Sequence, residues 1–467
     1  MTDFRPDEDR DTAVDTEADE AAYGVSSEIV RTARDALEAN NARALRDLVA
    51  ELHAADVADL LEQLGGDERE RFVALTRQEI EAETLTHLDE DVREEVMEAL
   101  GPQEVAEAVS ELDTDDAVDV LEDLDDDAKK KILDRVPAEE RIILEAGLTY
   151  PEDSAGRLMQ RKLVAVPAAW TVGETIDFLR ASDDLPDDFY DLFIVDAGKP
   201  VGTVPLSRAM RTKRPVKLAD IMETELRTVT VTMDQEAVAY MFRQYALVSA
   251  PVVDGDGRLV GVVTVDDVVH VIEEETEEDL MSLRGVGESD FHAPALETAW
   301  RRLRWLVVTL INTIIAAAVI SRFDATIEQL VALAVLMPIV AAMGGNAGMQ
   351  VVTVTVRALA TRDLTPGSNI ARAVAKEVMV NAVNAVVFAA VMGLIAAVWF
   401  DDWHLGAVLA AAMVFNMCWA GLAGTLIPLV LHRLGLDPAV SAGPFLTTTT
   451  DVLGFFSFLG LATLFLI

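Results

Sequence analysis

The chain has 467 residues, with 38 Lys and Arg against 81 Asp and Glu for a formal net charge of −43 at pH 7, and is nonetheless 51% hydrophobic. So acidic a chain offers no basic face to a nucleic acid, and its single cysteine, Cys418, excludes an intrachain disulfide and a cysteine-based zinc site. Charge and hydropathy are segregated: residues 301–467 hold nine Lys/Arg and eight Asp/Glu, a net +1, so the first 300 residues carry −44.

Residues 1–27, acidic and poor in large apolar side chains, are expected to be a disordered leader. Over 28–150 the apolar spacing is helical. A run with Asp56, Val57, Asp59, Leu60, Leu61 and Leu64 returns 60 residues later as Asp116, Ala117, Asp119, Val120, Leu121 and Leu124. An all-α superhelical domain of short stacked helices, each burying one face, is expected there.

Beyond Pro151 the period changes. Residues 164–166 and 193–196 read as strands, with a helix over 171–180 between them and another over 207–211 after. The order returns as strands at 229–231, 251–254 and 259–263 with helices over 235–243 and 264–272, and the insertion at 183–188 accounts for the unequal offsets. Two α+β repeats, 151–214 and 215–275, are expected to pack together and take a ligand in the cleft between them. An acidic run, Glu273, Glu274, Glu275, Glu277, Glu278 and Asp279, opens the connection (276–300) to the apolar half; such a run is ordinarily a solvated face.

Residues 301–467 contain five apolar segments, 304–322, 328–356, 373–400, 405–431 and 445–467, each near or above the about 20 residues that span a hydrocarbon core. Arg301, Arg302 and Arg304, then Arg357, Arg362, Arg372 and Lys376, then Arg433 fall at ends of one parity, against Arg322 alone on the other. This asymmetry predicts a cytoplasmic N-terminal half and an extracytoplasmic Ile467 in a cell membrane. Trp305, Trp399 and Trp403 suit the interfaces, whereas Trp419 lies mid-segment and needs packing to explain it. Asp451, in the run Thr447 to Thr450 and Val452, has no basic residue in its segment, and an intramembrane carboxylate marks an ion path. Glu328 and Glu377 fit helix-end or ion-pair roles as readily. Asn381, Asn384 and Asn416 read mainly as interhelical hydrogen-bonding groups. Pro338 followed by Gly344, Gly345, Asn346 and Gly348 predicts a kink that lines a pore.

Gly202-Thr203-Val204-Pro205-Leu206 and Gly261-Val262-Val263-Thr264-Val265-Asp266-Asp267 resemble the closing strand and helix of tandem CBS (cystathionine-β-synthase) domains. Together with Ala155-Gly156-Arg157-Leu158-Met159, the Gly-Gly-Asn-x-Gly-x-Gln run from Gly344 to Gln350, and Thr447-x-x-x-Asp451-Val452-x-Gly454, the chain resembles the MgtE family of magnesium channels over about residues 30–467. The resemblance implies a homodimer in a lipid bilayer and a path for divalent cations involving Asp451, Asn346, Gly345 and Glu328. It also implies Mg²⁺-sensing carboxylates at Asp115, Asp119, Glu236, Asp267, Glu275, Glu278 and Asp279, and a plug helix within 276–300. Mg²⁺ is then both cargo and regulator, and ATP is a candidate ligand of the CBS cleft. Met349, Gly421 and Gly443 depart from the family pattern around the path, as do Ala246 and His270 among the sensing positions.

These readings converge on a multidomain Mg²⁺ channel that cytoplasmic Mg²⁺ closes by bridging carboxylates that otherwise repel. The alternatives are a Co²⁺ or Mn²⁺ transporter and a membrane-anchored CBS sensor that does not conduct. An enzyme is disfavoured: the six histidines, His53, His87, His270, His292, His404 and His432, contain no His-x-x-x-His pair, and no nucleophile and base are paired.

Acidity spread through residues 3–20 and 113–127 exceeds what sensing needs and reads as adaptation to a salt-rich cytoplasm, where about 1 M ionic strength screens charges beyond roughly 3 Å. The isolated cytoplasmic half should therefore lose compactness in small-angle scattering as salt falls from molar to about 0.1 M; a salt-independent radius contradicts this reading.

Overall fold

A computed structural model describes residues 24–467 apart from 123, 183–184, 187, 283–294, 363 and 365–369. Most of the expected leader lies outside the described residues. The chain forms two compact units, divided between Ile272 and Glu273.

The first unit opens with nine short helices, α1 (Ser27–Glu38), α2 (Ala42–Val49), α3 (Ala54–Gln63), α4 (Gly66–Thr76), α5 (Glu90–Leu100), α6 (Pro102–Glu111), α7 (Thr114–Glu122), α8 (Asp126–Leu133) and α9 (Ala138–Gly147), with a 3₁₀ turn at Ala82–Leu85. Local chemistry sets the boundaries: Asn41 and Asp125 accept N-cap bonds from Ala44 and Ala128, and Gly101, at φ 91°, separates α5 from Pro102 at the start of α6. The repeated apolar positions become one core, with Leu60 and Leu61 of α3 and Val120 and Leu121 of α7 buried in it. Two buried arginines tie neighbouring helices. Arg69 reaches Glu95 and the carbonyls of Leu61 and Leu64, and Arg93 reaches Asp119 at 2.7 Å and the Leu88 carbonyl. A guanidinium with its donors shared among carbonyls and a carboxylate can be buried where a bare charge cannot.

Two three-stranded sheets follow. β1 (Ala165–Pro167), β2 (Asp191–Asp196) and β3 (Lys199–Pro205) form one, with α10 (Val172–Ala181) and α11 (Leu206–Arg211). β4 (Val229–Thr230), β5 (Ser249–Val253) and β6 (Leu259–Thr264) form the other, with α12 (Gln235–Tyr245) and α13 (Val265–Ser282). In each, the first pair is parallel and the second antiparallel.

The two repeats are joined by an exchange. Gln160, ahead of β1, trades both backbone hydrogen bonds with Val262 of β6, while Glu223, ahead of β4, trades both with Thr203 of β3. The glycines of the two Gly-x-Val motifs permit this approach: a Cβ on Gly202 would lie 2.7 Å from the Glu223 carbonyl, and one on Gly261 2.8 Å from that of Gln160. Neither repeat therefore completes its edge alone. α13 runs without interruption from the second repeat through the acidic run to Ser282.

The second unit contains α14 (Ala295–Ile320), α15 (Asp324–Gln329), α16 (Ala332–Ala360), α17 (Ile370–Trp399), α18 (Trp403–Arg433) and α19 (Pro438–Phe465). Five of its helical spans are long and apolar enough to cross a membrane. α18 lies centrally against α16, α17 and α19, and α14 packs on α19. Of the expected 276–300 connection, 276–282 ends α13, 295–300 begins α14, and 283–294 lies outside the described residues.

α16 passes through the Gly344 to Gly348 stretch and through Pro338 as one helix. The glycines serve packing, since a Cβ on Gly348 would lie 2.7 Å from Leu446 and one on Gly424 2.8 Å from the Gly348 carbonyl. Glu328 does not open the second span but sits, exposed, in the separate short helix α15. Trp419 packs against the cluster of Val352, Ala439 and Leu446, as a mid-segment tryptophan requires.

Gly261→Ala should lower the thermal midpoint of the purified chain, at a cost of about 1–3 kcal/mol for forced overpacking. Gly255→Ala, with nothing within 4 Å of the added carbon, should leave it unchanged. Equal midpoints for the two variants would refute the strand-exchange explanation.

Candidate functional site

In the membrane unit, Asp451 lies half-buried on α19, with no hydrogen bond or ion pair among the described residues. Thr447, one turn earlier on the same face, turns its hydroxyl to the Gly443 carbonyl at 2.5 Å, and Thr448 turns to that of Pro444 at 2.6 Å. These bonds use the hydroxyl protons and leave oxygen lone pairs available to a cation or its water shell. Gly345 faces this strip: a Cβ there would meet only the Thr447 methyl, at 4.0 Å. Asn346 is exposed on α16. Gly345 therefore approaches the Thr447 to Asp451 strip through α16 packing, while Glu328 lies on another helix.

Sequence reading did not foresee the part played by Asn416. Its amide, fully buried in α18, lies between the glycines of both membrane motifs. A methyl on Gly344 would overlap its Nδ2, and one on Gly454 would lie 2.8 Å from it. Nδ2 donates to the Val340 carbonyl at 2.9 Å, which ties α18 to α16, while Oδ1 is buried without a partner. Asn416 is thus the interhelical group expected of it, and also the reason both motifs carry glycine. The available signal was one amide in an otherwise apolar stretch.

In the first unit, the first turns of α7 and α13 bring carboxylates together. Asp115 is buried and neither of its oxygens has a hydrogen-bond partner. Burial, with the neighbouring Asp267 charge second, holds it well above the usual carboxylate range. Burial, then Asp267 and Asp113, push Asp116 up to about 7. Burial also raises Asp267 to about 6, although the Thr264 hydroxyl donates to it at 2.6 Å. Crowded carboxylates without a cation resist ionisation for these two reasons, desolvation and like charge. Orphaned buried oxygens beside a second carboxylate are a donor set that fits a hard divalent cation. Among the described residues no group of three or more His, Cys, Asp and Glu is drawn up as a complete metal site, so water would supply the remaining ligands.

The other sensing candidates fall elsewhere. Asp119 is the counter-ion of Arg93, so a cation there competes with a charge-assisted bond. Glu236 sits exposed in the first turn of α12, its N–H bonded to Asp234 Oδ1 at 3.0 Å. Glu275 and Glu278 lie on α13 beyond Ile272, at a spacing that places them on one face; the side chain of Asp279 lies outside the described residues. Arg157, quoted above only as part of a motif, pairs with Glu122 of α7 at 2.6 Å and holds the carbonyls of Tyr150 and Leu148, which anchors the helical array to the start of the first repeat. Between the repeats a shallow cleft is lined by Lys162, Phe189, Tyr190, Asp191, Ser249 and Thr264. Burial raises the Asp191 carboxyl, and Ser249 donates to it at 2.7 Å.

The sign of the pH dependence follows. Carboxyl groups raised from 3.8 in the fold bind more protons there than when unfolded, so stability present at low pH is lost as pH rises through about 6 to 7. In chelator, the thermal midpoint of the full chain should fall between pH 4 and pH 7. Mg²⁺ should restore it, and Asp116→Asn should flatten the profile. A midpoint that rises over this range would contradict the assignment.

Comparison with known proteins agrees in domain order. The MgtE intracellular N domain profile matches residues 52–153, the CBS domain profile 218–274, and the MgtE divalent cation transporter profile 337–461. The magnesium transporter MgtE of Thermus thermophilus is 35% identical over 93% of this chain and 97% of its own length; that of Bacillus subtilis is 31% identical over 72% and 74%. A solved cytosolic domain of the Mg²⁺ channel MgtE in complex with ATP is 34% identical, with a TM-score of 0.48, over 52% of this chain and 99% of that one. With its helical array, CBS pair and five membrane-competent helices in this order, the chain belongs to the MgtE family of magnesium transporters, which are not enzymes.

Proposed function

We propose that the chain is a Mg²⁺ channel, a homodimer with its first unit in the cytoplasm and Ile467 outside, closed by Mg²⁺ binding to cytoplasmic carboxylates. The carrying observation is Asp451: an ionisable side chain on a membrane helix, without a hydrogen-bond or ion-pair partner among the described residues, beside a strip of threonine oxygens and a glycine that leaves the strip open. Intramembrane carboxylates face a cavity, a partner or an ion. A second copy set against the exposed Asn346 and Asp451 would enclose such a cavity with two carboxylates. Mg²⁺ sheds water reluctantly and is met by oxygens around a largely hydrated ion, which suits hydroxyls, carbonyls and one carboxylate from each copy. An oxygen-only path favours Mg²⁺ over the softer Co²⁺ and also suits Mn²⁺, which is the alternative cargo.

Closure follows from the seam between α7 and α13. Without cations Asp115, Asp116 and Asp267 repel or must take up protons. A bound Mg²⁺ neutralises them and draws the two first turns together, and α13 carries that restraint into the acidic run. A shift from 1:99 to 99:1 needs about 5.5 kcal/mol of differential binding, so Glu275, Glu278 and Asp279 act with the seam, and Asp119 and Glu236 are further candidates. ATP is proposed for the cleft between the CBS repeats, where aromatic, carboxylate and lysine side chains suit a base, a ribose and phosphates.

Mg²⁺ flux into liposomes tests both parts. Asp451→Asn should cut flux at least about tenfold, as loss of a membrane carboxylate on the path predicts. Asp115→Asn and Asp267→Asn should conduct normally at low cytoplasmic Mg²⁺ and escape suppression at high Mg²⁺. Undiminished flux in folded Asp451→Asn defeats the path, and intact suppression in both seam variants defeats the gate.

A further inference from the structure

Beside the carboxylate seam lies a group with different chemistry. His87 follows the 3₁₀ turn of the helical array, and His270 lies on α13, one turn beyond Asp267. Their ring centroids are 6.3 Å apart with the planes inclined at 58°. Among the described residues neither ring makes a hydrogen bond. Burial foremost lowers the pKa of His87, followed by the charge of Glu83, which opposes that shift, then by His270 and His53, which add to it, and by Asp59, which opposes it. His87 is therefore a neutral imidazole at pH 7, the form that ligates metals. His270 is exposed and His87 half-buried, so an ion from solution can enter.

We propose that His87 and His270 bind a first-row transition cation of the Co²⁺, Ni²⁺ or Zn²⁺ class, bridging the helical array and α13. Imidazole nitrogens favour these cations and are poor ligands for Mg²⁺. With a metal–nitrogen bond of about 2 Å, two imidazoles on one tetrahedral ion place their centroids about 5 Å apart. The observed separation closes to that by a side-chain movement of roughly an ångström, which the exposed His270 can make. Glu83, one turn before His87, and Asp59 act on the His87 ring through their charge, and water completes the coordination. His53 contributes less directly, since its Nδ1 accepts the Ala55 N–H at 3.3 Å. The pair joins the helical array to α13, as Asp115 and Asp267 do, so a softer cation there would restrain the same seam that Mg²⁺ restrains. That consequence rests on the proposed gate; the binding itself does not.

The test is binding, not transport. Tag-free full-length chain in excess Mg²⁺, which occupies the carboxylates, is titrated with Zn²⁺ against a colorimetric chelator, and with Co²⁺ while its visible spectrum is followed. The expected result is one equivalent per chain that survives Mg²⁺, gives a Co²⁺ band of nitrogen-ligated type, and weakens at least about tenfold in His87→Ala and in His270→Asn. His404→Ala should bind as the parent does. The exposed His270→Asn keeps the test decisive should His87→Ala fold poorly. Zn²⁺ affinity unchanged within a factor of about two in folded His270→Asn, or complete displacement by Mg²⁺, would overturn the site. Because no flux is read, a failure of the proposed gate would leave this result standing.

Discussion

Carboxylates held without a counter-charge govern both halves of this molecule. A carboxylate moved from water into a protein or bilayer interior costs several kcal/mol unless a cation or a set of donors meets it. Among the described residues Asp451 has no hydrogen-bond or ion-pair partner, and Asp115 is buried beside a second carboxylate with no cationic side chain to answer it. These are the two places at which the proposed channel would take a divalent cation. At the seam the alternative is protonation, which places ion binding and proton uptake in competition at the same oxygens.

The packing that maintains them depends on missing side chains. In the first unit, Gly202 and Gly261 let each CBS repeat complete the other's edge, so the pair folds as one body and presents α13 at a set position against α7. In the second, Gly344 and Gly454 close around the Asn416 amide, and Gly348 and Gly424 let α16 approach α18 and α19. Small residues provide close approach where the hydrophobic effect drives no helix association. The threonine run then faces Gly345 across a gap that a larger residue would fill.

The two histidines at the seam show how one interface can carry two ligand chemistries. Oxygen donors from α7 and α13 suit a hard, hydrated cation, and nitrogen donors from the 3₁₀ turn and α13 suit a borderline one. Neither set is complete without water or a rotated neighbour, which suits the sensing role proposed for the seam.

Composition alone divided the chain into an acidic part and a membrane part, because the periods and lengths that water and hydrocarbon impose are written residue by residue. The 60-residue helical repeat and the CBS strand order were legible for the same reason, and Asp451 stood out because charge is rare in such a segment. Three features were not legible. The glycine run was read for a bend, whereas its close packing against Asn416 and Leu446 could be known only from the neighbours. Asp115 could not be distinguished from dozens of surface acids until tertiary structure buried it against Asp267. Asp119, one turn away, is answered by Arg93 from another helix. Sequence determines what each residue can bind; the approach of distant segments decides which residues are left with nothing to bind but an ion.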